Sequence, residues 1–363
     1  MSEMFKSKLF RAAVWILLVF LIILVGTQIF FVFVPLVIIF QTLFFPFLIA
    51  GFLYFLTNPF VDWLERKRIP RGLSILLIYL AFFGIIALLA VITGPILQRE
   101  FTRLLNDAPE ILNEFQKILV SLQDHPLIVR LMEEDPGQIE NIAQWLTDSL
   151  NHLFVLVVNS TFSVFEFAAD LLLSIVIIPF ILFYMLRDGR QWPQVFYRYL
   201  PEDHAEDIKT TMEKIGSAIS SYIQGLFVVC ICVGVLVYIG YQIIGLNYPL
   251  LLASFAMFTN VIPFVGPIIG TVPGIIVAII HSPLMIFKVL VVVVVVQQVE
   301  SLLISPQVMG KKLAVGPLSI ILVILVAGSM AGLLGMILAL PTFVILRIIT
   351  NHIYNLAKST KKA

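Results

Sequence analysis

Charge is what this chain has least of. Lysine, arginine, aspartate and glutamate together make up 12% of its 363 residues, about half the share of a soluble domain. A net charge of +1 creates no bulk field for nucleic acid, so no nucleic-acid partner is expected. Cysteine is nearly absent. Cys230 and Cys232 stand two apart in an apolar run, on different faces of a helix, which indicates neither a disulfide framework nor a metal site. The five histidines (His125, His152, His204, His281, His352) are scattered without ligand spacing. There is no Walker-type phosphate loop, so any pumping must draw on gradients rather than ATP. There is no HExxH, and Ser329 lies in GSMAG rather than in a nucleophile elbow. The chain is expected not to be an enzyme and to carry no cofactor or metal.

What is present is apolar. Hydrophobic residues make up 60% of the chain and the mean hydropathy is +1.04, the composition of an all-α polytopic membrane protein. The informative exception is Pro249 to Ile280, PLLLASFAMFTNVIPFVGPIIGTVPGIIVAII. Its middle carries Asn260, Pro263, Gly266, Pro267, Gly270, Pro273 and Gly274. A lipid-facing helix must satisfy every backbone polar group internally, and proline removes a donor. Two shorter helices meeting at a break are therefore expected, with freed backbone groups facing protein or a watery cavity, as at transporter substrate sites. A proline-kinked structural helix is the alternative.

In chain order, residues 1–97 read as three membrane spans. Ala12 to Val34 is a retained span, and Pro35 starts a second after a tight outer turn, ending at Thr57-Asn58-Pro59. The third is Leu73 to Ile96. Arg66, Lys67, Arg68 and Arg71 lie in the short loop between the last two, which places that loop and the N-terminus in the cytoplasm. Residues 98–151 form a polar insert with ten acids against four basic residues. It is expected outside, as a lid of two or three amphipathic helices, with Asp107 with Glu110, and Asp135 with Pro136 and Gln138, as helix N-caps. A fourth span, 152–188, carries Glu166 and Asp170 about 25 Å of helix rise from Arg187, where an interfacial position competes with a functional one. Residues 189–217 are interfacial and cytoplasmic, with Trp192, Phe196 and Tyr199, and their polar helix (202–217) runs into the fifth span. That span and the outer broken hairpin occupy 218–281.

The sixth span and an inner broken hairpin occupy 282–350. In the span, Gln297, Gln298 and Glu300 interrupt a very apolar run. A carboxylate in hydrocarbon must face a cavity, find a partner or stay protonated. The alternative is a structural acid near the inner interface, paired with Arg71 or Lys311. The last segment, Pro317 to Ile349, is broken by GSMAGLLG and Pro341, and both flanks are basic. It must enter and return as a hairpin, before a basic cytoplasmic tail (351–363). Pro273 follows Pro249 by 24 positions and Pro341 follows Pro317 by the same 24, with Asn260 and Gly328 each eleven after the first proline. A span plus a hairpin, occurring twice in opposite orientation, is an inverted repeat of the transporter kind.

Taken together, PFLIAGFLYFLTNPFVDWLERKRIPRG, YMLRDG, SYIQG, NVIPFVGPIIGTVPG, QQVESLLISPQVMG and GLLGMILALP make the chain resemble the autoinducer-2 exporter family. The resemblance covers nearly the whole length. It implies a cytoplasmic-membrane protein of about eight membrane segments, assembled as a homo-oligomer, with a pentamer as the expected form. Family members differ in cargo, from a small polar signal to sodium or lithium exchanged for protons.

A small polar solute needs partners in a cavity away from lipid. Asn260, Pro263, Gly266 and Ser329 at the hairpin tips, with Gln224, Gln297 and Gln298 opposite, are the candidate substrate contacts. Glu300 is the candidate ion-coupling group, for Na+, Li+ or H+. Glycines would let the hairpins slide, and Pro263 and Pro273 would hold the break. Asn58, Pro59, Arg71, Arg187, Asp188 and Gly310 are expected to be architectural, clasping the cytoplasmic ends of spans. The expectation is an exporter of a small polar metabolite such as autoinducer-2. A cation/proton antiporter, and a non-transporting scaffold or regulator, are the alternatives.

Overall fold

The computed structural model describes residues 30–123, 176–189, 202–308 and 316–360, with isolated helical positions between 14 and 24. Glu166, Asp170, Asp135, Trp192, Gly310 and Lys311 lie outside the described residues, as does most of the expected fourth span. Among the described residues every regular element is helical: α1 Phe30–Arg66, α2 Arg71–Gln123, α3 at 176–188, α4 Glu202–Ile244, α5 Pro249–Thr259, α6 Val265–His281, α7 Pro283–Val299 and α8 Pro317–Thr360. A π-helical turn, Glu300–Ile304, and a last turn, Ser305–Val308, extend α7. Among the described residues, five helices are long and apolar enough to cross a membrane. The chain is a multi-pass membrane protein.

Helix α1 passes through Pro35, Pro46 and Pro59 without ending, so neither the turn at Pro35 nor the stop at Thr57-Asn58-Pro59 is found. A proline inside a helix leaves the carbonyl four residues earlier without its N–H partner. At Pro59 that carbonyl belongs to Phe55, and the Gln224 side chain donates to it from α4 at 2.9 Å. The helix continues because a neighbour replaces the missing donor.

The polar insert does not begin as a separate helix. Helix α2 runs unbroken from Arg71 to Gln123, through Pro95 and Pro109, a rod of about 80 Å that must project beyond a bilayer core of about 30 Å. Asp107 and Glu110 are thus inside a helix rather than capping one. The expected run of the polar helix 202–217 straight into the fifth span is seen in α4.

The break in the proline-rich stretch falls at Asn260–Phe264. At about 17 Å, α5 is too short to cross the hydrocarbon, and α5 and α6 pack together as the two legs of a hairpin. An alanine Cβ at Gly266 would stand 2.0 Å from the Thr259 carbonyl oxygen, and one at Gly270 would stand 2.9 Å from Ala256 Cα. The glycines therefore let the two legs of one hairpin touch backbone to backbone. Phe264 turns the chain with φ 65° and ψ −42°, and Val265 N–H bonds the Pro263 carbonyl at 2.8 Å. That is a γ-turn of positive φ, a conformation rarely held without support. Pro273 does not hold this break; it sits inside α6.

Helix α8 is also a hairpin. Ala331 and Gly332 leave helical geometry, Gly332 at φ 57° and ψ −140°, a region open mainly to glycine. A Cβ at Gly335 would fall 1.9 Å from the Ala327 carbonyl, which requires the chain to have folded back. The reversal lies within GSMAGLLG as expected, whereas Pro341 stays inside the second leg. Phe264 and Gly332 each fall 15 positions after the first proline of their hairpin.

The core joins these parts. Val229, Val233, Val237 and Tyr241 of α4 pack against Leu252 and Ala256 of α5, Val277 of α6, and Val289 and Val296 of α7. The tip of the first hairpin, through Ile262 and Val265, meets Ile324 and Ala339 on the two legs of the second. The hairpin bases lie at opposite ends of α4: Tyr248 follows its last turn, while Thr211 in its early part meets His352 of α8 at 3.0 Å.

Candidate functional site

A polar cluster lies where α4, the tip of the first hairpin and α7 converge. Asn260 ends α5 and is 3% exposed. Its backbone N–H is spent on Ala256 O at 3.1 Å, so its side chain is what it offers. That side chain faces the carboxylate of Glu300 and the Cys230 thiol of α4. Gln297, one turn before Glu300, donates Nε2 to Glu300 Oε2 at 3.0 Å. The half-buried carboxylate thus has one neutral amide donor and a second amide beside it, an arrangement that holds charge without cancelling it.

Glu300 opens the π-helical turn, in which Ser305 N–H bonds the Glu300 carbonyl. Such turns insert an extra residue into the helical register and concentrate at functional positions. Arg71 is not the partner of this acid. It pairs with Glu65 at 2.9 Å and Asp62 at 3.4 Å, while Lys311 is outside the described residues. Beside the cluster lies a cavity of about 20 Å³ between α4, α5, α6 and α7, with Gln297 and Thr271 among apolar lining residues. That is room for a single water.

The other candidate contacts are placed differently. Gln224 donates Nε2 to both Phe55 O at 2.9 Å and Ser220 Oγ at 2.7 Å, which leaves only its carbonyl oxygen for a cavity. Gln298 is exposed, next to Gln297 but not in the cluster. Ser329 is exposed and donates to Val326 O at 2.8 Å. Gly266 lies buried in the contact between hairpin legs, and Pro263 is in the break.

At the far end of α1, Asn58 donates to Asp62 at 3.1 Å, and Arg71 Nε donates to the Leu186 carbonyl of α3 at 2.7 Å. One guanidinium therefore ties the end of α1, the start of α2 and the end of α3. Arg187 bonds Asp188 at 2.9 Å, and this hydrogen bond first, with Arg71 contributing, holds the partly exposed Asp188 carboxyl below its usual range.

Two participants carried no signal in the sequence: Cys230, which reads as an apolar filler, and Thr271, one helical turn past Pro267. Only the folding of α4 and α6 around α7 brings Cys230 near the acid and Thr271 to the cavity lined by Gln297.

The AI-2E family transporter description matches residues 6–355. The "Putative transport protein YueF" of Bacillus subtilis (strain 168) is 40% identical over 360 residues, covering 99% of this chain and 97% of that protein. A second protein of that organism, the "Putative transport protein YrrI", is 29% identical over 318 residues, 88% of each. The "Putative permease PerM" of Escherichia coli (strain K12) is 24% identical over 299 residues, 82% of this chain and 83% of that protein.

Proposed function

Because this chain belongs to the AI-2E family of transporters, we propose that it is a secondary transporter of the cytoplasmic membrane, exporting a small polar metabolite or signal such as autoinducer-2 by alternating access. The observation that carries this reading is the Asn260–Glu300–Gln297 cluster, polar and held at the broken tip of a re-entrant hairpin. Buried polar groups at a helix break within an apolar bundle are how membrane transporters present a site to a solute. The two hairpins, based at opposite ends of α4 and touching at Ile262, are the elements that would move against one another. The matched turn positions, Phe264 and Gly332, favour reading them as an inverted repeat. The basic loop at Arg66–Arg71 and the basic tail put both termini inside. A homo-oligomer, with the pentamer the resemblance implies, belongs to the same reading; native mass spectrometry tests it.

The cavity beside Gln297 favours a second reading. It has room for about one water, so a metabolite enters only when the hairpins part, whereas a proton can pass by way of a water. A cation/proton antiporter using Glu300 is the reading that this size supports. Proteoliposomes with a pH-sensitive dye inside separate the two. Cation-dependent proton flux that is lost in Glu300→Gln supports the antiporter. Uptake of labelled autoinducer-2 without such flux, lost in Asn260→Ala, supports the exporter. Neither activity in folded, inserted protein overturns both and leaves a scaffold.

A further inference from the structure

Glu100, on the part of α2 beyond bilayer length, accepts the backbone N–H of Leu251 at 2.7 Å and approaches that of Leu250 at 3.5 Å. The first N–H groups of a helix have no partners within it. Helix α5 cannot supply them itself: Tyr248 before it is left-handed at φ 58° with no side-chain cap, and Pro249 takes the first position. An acid 150 positions away fills that role, its charge matched to the positive end of the helix. Two turns further along α2, Asp107 accepts the Tyr248 hydroxyl. Leu104, between them, packs against the core shared by α5 and α6, and α2 contacts both helices.

We propose that Glu100 and Asp107 are positioning residues for the Asn260–Glu300 cluster, and that the extramembrane part of α2 clamps the base of the first hairpin. Helix α5 is a short stiff lever with its base in the clamp and Asn260 at its far end. Over about 16 Å of helix, a tilt of roughly 10° at the base carries the far end about 3 Å, enough to move Asn260 off the face of Glu300. The consequence for activity rests on the transport reading; the clamp itself does not.

The test uses the full chain in nanodiscs and proteoliposomes. Hydrogen exchange over 249–264 is compared in wild type, Glu100→Gln, Glu100→Asp and Asp107→Asn. Loss of the charged cap raises exchange at Leu250 to Ala253 by about fivefold, the usual worth of a helix cap, and the increase extends to Asn260. Glu100→Asp restores most of the protection. In transport, the pH midpoint of Glu100→Gln moves in the same direction as that of Asn260→Ala. Unchanged exchange over 249–264 in Glu100→Gln and Asp107→Asn overturns the clamp. Raised exchange with an unmoved pH midpoint and merely less active protein overturns the positioning role. If wild type transports nothing, the transport reading fails, while exchange at Asn260 still decides whether the clamp holds the tip.

Discussion

Gly266→Ala is the sharpest test of the hairpin. The added methyl would meet the Thr259 carbonyl oxygen at 2.0 Å and its carbon at 2.6 Å, where ordinary contact begins near 3.4 Å. Both obstacles are backbone, so no rotamer change relieves them, and the legs must part by more than an ångström. Overpacking of this kind costs about 1–3 kcal/mol. The displaced tip carries Asn260 away from Glu300. A cost of that size is a sizeable share of a typical folding free energy of about 5–15 kcal/mol. At about 2–4 °C per kcal/mol, the thermal midpoint in detergent should fall by roughly 5 °C. Gly51→Ala is the control, since nothing lies within 4 Å of the new methyl, and an alanine inside a helix is stabilising by about 0.5–1 kcal/mol. A Gly266→Ala protein with the wild-type midpoint and wild-type transport would refute the close contact of the legs and the placement of Asn260.

The remaining predictions address separate joints. Gln224→Leu should destabilise by about 1–3 kcal/mol by stranding the Phe55 carbonyl. In a Pro59→Ala background, where residue 59 supplies its own N–H, that cost should shrink, and a double-mutant thermal-stability cycle without coupling would sink the idea. Gly332→Ala has open space for its methyl but must hold φ 57°. Its penalty of about 1–3 kcal/mol is conformational, so Gly332→Ser should cost the same, and a free ride for either in thermal melts counts against the described turn. Burial first, and then the Asp107 hydrogen bond, raise the Tyr248 pKa. The unfolded tyrosine ionises near pH 10 while the folded one stays neutral, so its stabilisation is complete below that pH and lost as pH rises through the folded value. Tyr248→Phe should flatten the alkaline loss of stability measured between about pH 9 and 11; an unchanged slope would remove Tyr248 as its source.

Membrane class, the broken hairpins and the candidate acid were legible because each rests on a local rule. Apolar length requires internal backbone bonding, and a stretch bearing Pro263, Gly266 and Pro267 cannot provide it. Basic flanks on both sides of Pro317 to Ile349 force a return. A glutamate among valines demands a partner. Prolines misled where a distant neighbour offset their defect: Pro59 looked like an end because Gln224 stands 165 positions away in sequence, and Pro273 and Pro341 proved tolerable inside helices. Asp107 looked like a cap because Glu110 stands three positions after it, yet the helix passes through and the acid binds Tyr248. Thus the two broken stretches and the polar groups in want of partners could be read from short lengths of backbone, but which single prolines end a helix could not. Which partner each one found, Gln224 for Phe55, Glu100 for the start of α5, was decided only by tertiary packing, because hydrogen bonds close over about 3 Å between helices that the sequence leaves unrelated.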